Sequence, residues 1–106
     1  MKLAIIINSN DAETAWNALR LANESISQGN ETTVFLLGSG VEVVGIKSET
    51  FNIAELGEKF LSGGGNLLAC GTCLKSREQE AGVCSISTMS QLVEVITGSD
   101  KLVTFG

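Results

Sequence analysis

Gly63-Gly64-Gly65-Asn66-Leu67-Leu68-Ala69-Cys70-Gly71-Thr72-Cys73-Leu74-Lys75 is the stretch whose reading decides the fold. Three consecutive glycines end whatever precedes them and free the backbone for a turn. Asn66 to Cys70 is a short apolar run of strand length, consistent with a strand buried on both faces. A short helix is expected to start near Thr72 and run towards Glu80. A buried strand passing directly into a helix is the beginning of a βαβ unit, and such units build parallel sheets.

The alternation extends outward in both directions. Lys2 to Ile7 is a continuous apolar run and reads as another buried parallel strand. Asn10-Asp11-Ala12-Glu13 offers a helix cap with a carboxylate three residues on. Ala12, Ala15, Trp16, Leu19, Ala22 and Ile26 then follow at helical spacing, and Gly29 ends that helix. Thr32 to Leu37 reads as a second strand, and Gly38-Ser39-Gly40 turns the chain. Two readings stand for Val41 to Ile46: a strand, from its β-branched residues, or a short helix over Gly40 to Val44. Asn52 with Glu55 caps a helix whose apolar face is Ile53, Leu56 and Phe60. Thr88 with Gln91 caps a last helix, with Met89, Leu92, Val93 and Ile96 expected inward and Gly98 past its end. Lys101 to Phe105 is the closing strand. The expected fold is therefore an α/β sandwich on a mostly parallel sheet, a single domain over residues 1–106.

Composition agrees with a small globular domain. Hydrophobic residues make up 43% of the chain and charged residues 18%, which excludes a disordered segment. The net charge of −5, with no Lys/Arg cluster, argues against binding to nucleic acid or to an anionic membrane surface. The N-terminal run Leu3–Ile7 is too short for a signal sequence, and no stretch approaches bilayer length. A cytoplasmic location is the expectation. Free thiols persist in that reducing compartment, and the Asn30-Glu31-Thr32 sequon is read as chance.

With no histidine and no tyrosine, the chain leaves its three thiols as the candidate nucleophiles. In an open parallel sheet, ligands bind beyond the carboxyl ends of the strands. Asn8, Ser9 and Asn10 follow the first strand, Gly38, Ser39 and Gly40 the second, and Cys70, Gly71, Thr72 and Cys73 the third. Parallel geometry sends these loops to one edge, where backbone N–H groups and a helix start suit a sulfur anion or persulfide. Lys75 and Arg77 follow closely enough to favour a thiolate, and the expectation is that helix start and cations together depress the thiol pKa. Cys84, between Val83 and Ser85, reads as buried or as a resolving thiol. Three thiols without an imidazole do not make a zinc site within one chain, and no phosphate-binding P-loop motif occurs. No metal or cofactor is expected.

Ala69-Cys70-Gly71-Thr72-Cys73-Leu74-Lys75 resembles the DsrE/DsrF-like family, also called the YchN-like fold. Asn8-Ser9-Asn10 after the opening strand, Val34-Phe35-Leu36-Leu37-Gly38 before Gly40-Val41, and Lys101-Leu102-Val103-Thr104-Phe105 fit the same pattern, so the resemblance spans essentially the whole chain. It implies a three-layer α/β fold with about five strands, assembly into trimers or hexamers, and a sulfur relay. In such a relay one cysteine carries a persulfide and passes sulfur to an acceptor protein of the DsrC/TusE kind. That cysteine corresponds to Cys70, whereas Cys73 stands where a small non-thiol residue is commoner.

Three functions follow as expectations. The first is a persulfide relay with Cys70 as acceptor and donor, Cys73 as modulating or resolving thiol, and Asn8, Ser9, Gly38, Ser39, Gly40, Gly71, Thr72 and Lys75 lining the site. The second is a dithiol oxidoreductase using Cys70 and Cys73, although the chain lacks the proline that thioredoxin-like proteins keep beside the pair. The third is a non-catalytic oligomeric module that binds a small molecule.

Overall fold

The computed structural model describes residues 1–106. Its elements are β1 (Lys2–Ile7), α1 (Ala12–Ser27), β2 (Glu31–Leu36), a 3-10 segment (Gly38–Gly45), α2 (Ile53–Ser62), β3 (Asn66–Cys70), α3 (Gly71–Ser76), β4 (Ser85–Ser87), α4 (Met89–Gly98) and β5 (Lys101–Phe105). The five strands form one sheet in the order β4-β3-β2-β1-β5, parallel throughout. From β1 to β4 the chain steps in one direction across the sheet. Right-handed crossovers therefore place α1, α2 and α3 on one face. The return from β4 to β5 reverses direction and puts α4 alone on the other face. The three-layer α/β arrangement expected from the sequence is the observed one.

Register and pleat sort the core. Ile5 pairs with Val34 and Val34 with Leu67, while Ile7 pairs with Leu36 and Leu36 with Ala69. Side chains alternate along each strand, so these residues share one face and Ile6, Phe35 and Leu68 share the other. Thr32 belongs to the first set, and its hydroxyl meets that of Ser25 on α1 at 2.8 Å, a buried pair that fixes which face α1 covers. Ala15, Ala18 and Ala22 are buried along α1, and their small side chains let the helix lie close to the strands.

Local chemistry explains the helix starts. Asn52 accepts the Glu55 N–H at 3.1 Å, and Thr88 and Gln91 form a complete capping box, both as the sequence leads one to expect. At α1 the cap is Asp11, one residue later than Asn10, and its carboxylate accepts the Thr14 N–H at 3.0 Å. The ambiguous segment after β2 is the 3-10 turn Gly38–Gly45, with Val41 and Val43 buried.

Two expectations need correction, and one strand lies where none was expected. The helix after β3 stops at Ser76 instead of reaching Glu80. Gln79 N–H returns to the Leu74 carbonyl at 2.9 Å, and Glu78 takes a left-handed φ of 50°, a conformation that a helix cannot continue through. Strand β4, only three residues long, has no apolar run to announce it and is held by pairing with β3. On α4, Leu92 is buried, but Met89, Val93 and Ile96 are 56%, 58% and 37% exposed. That helix lies on the sheet by itself, with no neighbouring helix to close over its flanks. No helix is long and apolar enough to cross a membrane.

Candidate functional site

The loops after β1, β2 and β3 meet at one edge of the parallel sheet. Their contact is direct. Leu37 N–H donates to the Ile7 carbonyl at 3.0 Å, and Gly40 packs on that same carbonyl so closely that a Cβ would overlap it. Gly38 has φ +57°, and a Cβ there would overlap the Asn8 side-chain oxygen. Residues 38 and 40 are glycine because the ends of β1 and β2 close onto each other at this point.

The gain from that closure is the orientation of one amide. Gly38 N–H donates to Cys73 Sγ at 3.3 Å, so the loop after β2 hydrogen-bonds to a thiol on the loop after β3. Cys70 is the N-cap of α3 and Cys73 lies one turn further, which makes the two thiols near neighbours. Both are free, as is Cys84. Exposure divides the pair: Cys70 is 2% exposed and belongs to the core, whereas Cys73 is partly exposed at the edge. Cys70, expected to be the reachable sulfur, thus stands behind Cys73.

The expectation of a depressed thiol pKa is also corrected for Cys73. Burial and the adjacent Cys70 thiol push it above the ordinary value of 9, outweighing the Gly38 N–H and the Arg77 charge, which pull it down. The physical reason is scale. A six-residue helix adds little field, and a thiolate here would lose water and face a second sulfur. Lys75, expected to help, is exposed and forms no ion pair.

The remaining predicted residues divide by role. Asn8 touches Gly38, and Ser39 is partly buried in the same turn. Ser9 accepts the Asp11 N–H at 3.1 Å and so serves the start of α1. A Cβ on Gly71 would stand 3.1 Å from Ile86 Cγ2, so this glycine lets α3 approach β4. Thr72 is exposed at the helix start. Cys84 is 8% exposed, burial pushes its thiol up to about 11, and it is not among the groups that shift Cys73.

Sequence reasoning missed one tie. Arg77 Nε meets Glu42 Oε2 at 3.2 Å, and the same guanidinium reaches the Cys73 carbonyl at 3.4 Å. Arg77 therefore clamps α3 to the 3-10 segment beside the thiols. Nothing in the sequence marks a pair 35 positions apart. No group of three or more His, Cys, Asp or Glu side chains is gathered as metal ligands. Two neighbouring thiols, the outer one held by a backbone N–H, can hold a sulfane sulfur or close into a disulfide.

Comparison with known proteins agrees with this architecture. Uncharacterized protein MJ0989 of Methanocaldococcus jannaschii is 33% identical over 114 residues, spanning 99% of this chain and all of its own length. Uncharacterized protein MK0008 of Methanopyrus kandleri is 34% identical over 101 residues, spanning 88% of this chain and 83% of its own. Among solved structures, the conserved protein of unknown function BT1422 from Bacteroides thetaiotaomicron superposes with a TM-score of 0.80 at 20% identity, covering 97% of this chain and 93% of that one. MTH1491 from Methanobacterium thermoautotrophicum, also of unknown function, superposes with a TM-score of 0.76 at 11% identity, covering 97% of both chains. These two structures share the fold. The DsrE/DsrF-like family model matches residues 1–105, essentially the whole domain from β1 to β5, and the chain therefore belongs to the DsrE/DsrF-like family.

Proposed function

We propose that the chain is a sulfur-transfer protein that carries a persulfide on its dithiol, with Cys73 as the outer sulfur and Cys70 directly behind it. The observation that carries this reading is the Cys73 thiol itself: partly exposed, one helical turn from Cys70, and held by the Gly38 N–H at 3.3 Å. Family membership is consistent with a sulfur-relay role. In the transfer, the Cys73 thiolate attacks the outer sulfur of a donor persulfide, R–S–SH. A new S–S bond forms on Cys73, the donor S–S bond breaks, and R–S⁻ leaves as a thiolate. No net oxidation occurs. Because the Cys73 pKa is raised, the reactive thiolate is scarce at neutral pH, and loading accelerates as pH rises.

The sulfur leaves to an acceptor thiol on a partner protein, of the DsrC/TusE kind that the family suggests. A homo-oligomer, trimer or hexamer, is the expected assembly. The exposed apolar residues Met89, Val93 and Ile96 on α4 support self-association. A cytoplasmic location suits three free thiols.

The nearness of Cys70 to Cys73, one turn apart at the start of α3, favours a second reading, a dithiol oxidoreductase. If Cys70 attacks the inner sulfur of a Cys73 persulfide, HS⁻ leaves, the two thiols are oxidised to a disulfide, and an external dithiol must reset them. Mass spectrometry after incubation with polysulfide separates the two. A relay gains the mass of one sulfur on Cys73, keeps it, and gains it also in Cys70→Ser. An oxidoreductase ends as the Cys70–Cys73 disulfide with free sulfide. If Cys73→Ser takes up sulfur as readily as the parent, the transfer reading fails.

A further inference from the structure

Between the 3-10 segment, α2 and the sheet lies a cavity of about 240 Å³. Leu36 and Leu67 of the sheet and Leu19 of α1 line it from below, and Val43 and Ile53 form its walls, all of them buried. Glu58 is the single ionisable residue on its lining and stands with Ala54 and Val83 among the exposed residues at the rim. Every buried side-chain nitrogen and oxygen of the protein already has a hydrogen-bond partner. The inner lining of the cavity is therefore apolar side chains, with Glu58 the one charged side chain at its rim.

Gly57 is the second observation. It lies inside α2, is buried, and lines this cavity. Glycine is, after proline, the residue least favourable to a helix interior. Elsewhere in this chain a buried or tight glycine answers to a close neighbour, as Gly40 does to the Ile7 carbonyl. A Cβ at Gly57 would meet no atom within 4 Å. The glycine leaves room that the protein itself does not fill.

We propose that this cavity binds a small uncharged apolar molecule, a single ring or a short hydrocarbon chain, with any hydroxyl end directed to Glu58. Size and chemistry agree with that class. An engineered apolar cavity of about 150 Å³ stays dry and binds benzene, and this one is larger. A charged ligand would have to leave water for a lining without a counter-ion inside. The proposal stands independently of the sulfur chemistry, since it uses none of the thiols.

The test is a titration with benzene as the probe, followed by methyl NMR on the full chain. Saturable shifts are expected at Leu19, Leu36, Val43, Ile53 and Leu67. Gly57→Leu fills the space and lowers the affinity by about tenfold or more, a change of at least one decade in Kd. Should Gly57→Leu not fold, Gly57→Ala serves. Its extra methyl raises the melting temperature through helix propensity and weakens benzene binding by a smaller factor. Shifts that do not saturate, that persist unchanged in the Gly57 variants, or that fall on Met89 and Val93 overturn the proposal. So do the same five methyls responding to protein concentration without benzene, because a second copy would then occupy the cavity.

Discussion

Under α1 and α2 the sheet is covered by neighbouring helices, with one cavity left beside Gly57, while under α4 a single helix roofs it. On the first side Ile5, Ile7, Val34 and Leu36 meet two helices and the 3-10 segment, and Phe60 and Ile53 of α2 are closed off from solvent. On the second side α4 lies alone and buries Leu92, while Met89, Val93 and Ile96 remain open to solvent. Ile86 and Leu102, on the two edge strands, are exposed as well. The same spacing of apolar residues thus has two meanings. Where neighbouring helices share a face, the stripe becomes core. Where one helix works alone, part of the stripe remains as a surface that suits another protein.

That contrast can be broken from its strong side first. Phe60→Ala removes a fully buried ring and should cost about 3–5 kcal/mol of folding free energy in urea melts. A loss below about 1 kcal/mol would mean that the side under α1 and α2 tolerates a void as easily as the side under α4. A smaller effect comes from Cys84, whose thiol is pushed up to about 11 by burial, from an ordinary 9. The folded state holds this proton more tightly than the unfolded state. Its contribution is therefore fully present below pH 9 and is lost as pH rises towards 11. The expected fall, measured under reducing conditions, is on the order of 2 kcal/mol. Cys84→Ala should flatten the decline, and an identical decline in that variant would refute the assignment. The absence of tyrosine removes one competing titration in this window. The smallest effect on the chain itself belongs to Val93→Ser, within about 0.5 kcal/mol in dilute solution because the side chain is already exposed. The same substitution should weaken self-association in sedimentation experiments. If it does not, α4 is not the assembling face.

The contrast also explains what the sequence could and could not say. Lys2–Ile7 and Asn66–Cys70 were legible because buried parallel strands read as unbroken apolar runs. The caps at Asn52 and Thr88 were legible because hydrogen bonds three residues apart are local. The inward direction of Met89, Val93 and Ile96 was misread because periodicity marks an apolar stripe without showing how wide its cover is. The site follows the same rule. Convergence of the loops at Asn8, Gly38 and Cys70–Cys73 follows from parallel strands and could be foreseen. Which cysteine faces outward depends on the rotation of a single helical turn after β3, and the Gly38 amide and the Arg77–Glu42 tie are long-range contacts. None of these carries a sequence signature.

One consequence of the strand order concerns synthesis. β1 is made first, yet one of its two flanking partners is β5, residues 101–105. Until β5 is made, β1 is the edge of a four-stranded sheet and presents a bare row of peptide groups on that side, open to β-pairing with a neighbouring nascent chain. Closure comes once residues 101–105 are made and Ile7 and Phe105 come into register. A chain that stops short of residue 101 would keep a templating edge along β1. Selection against aggregation should therefore act on Lys101–Phe105, although these residues lie outside the thiol site.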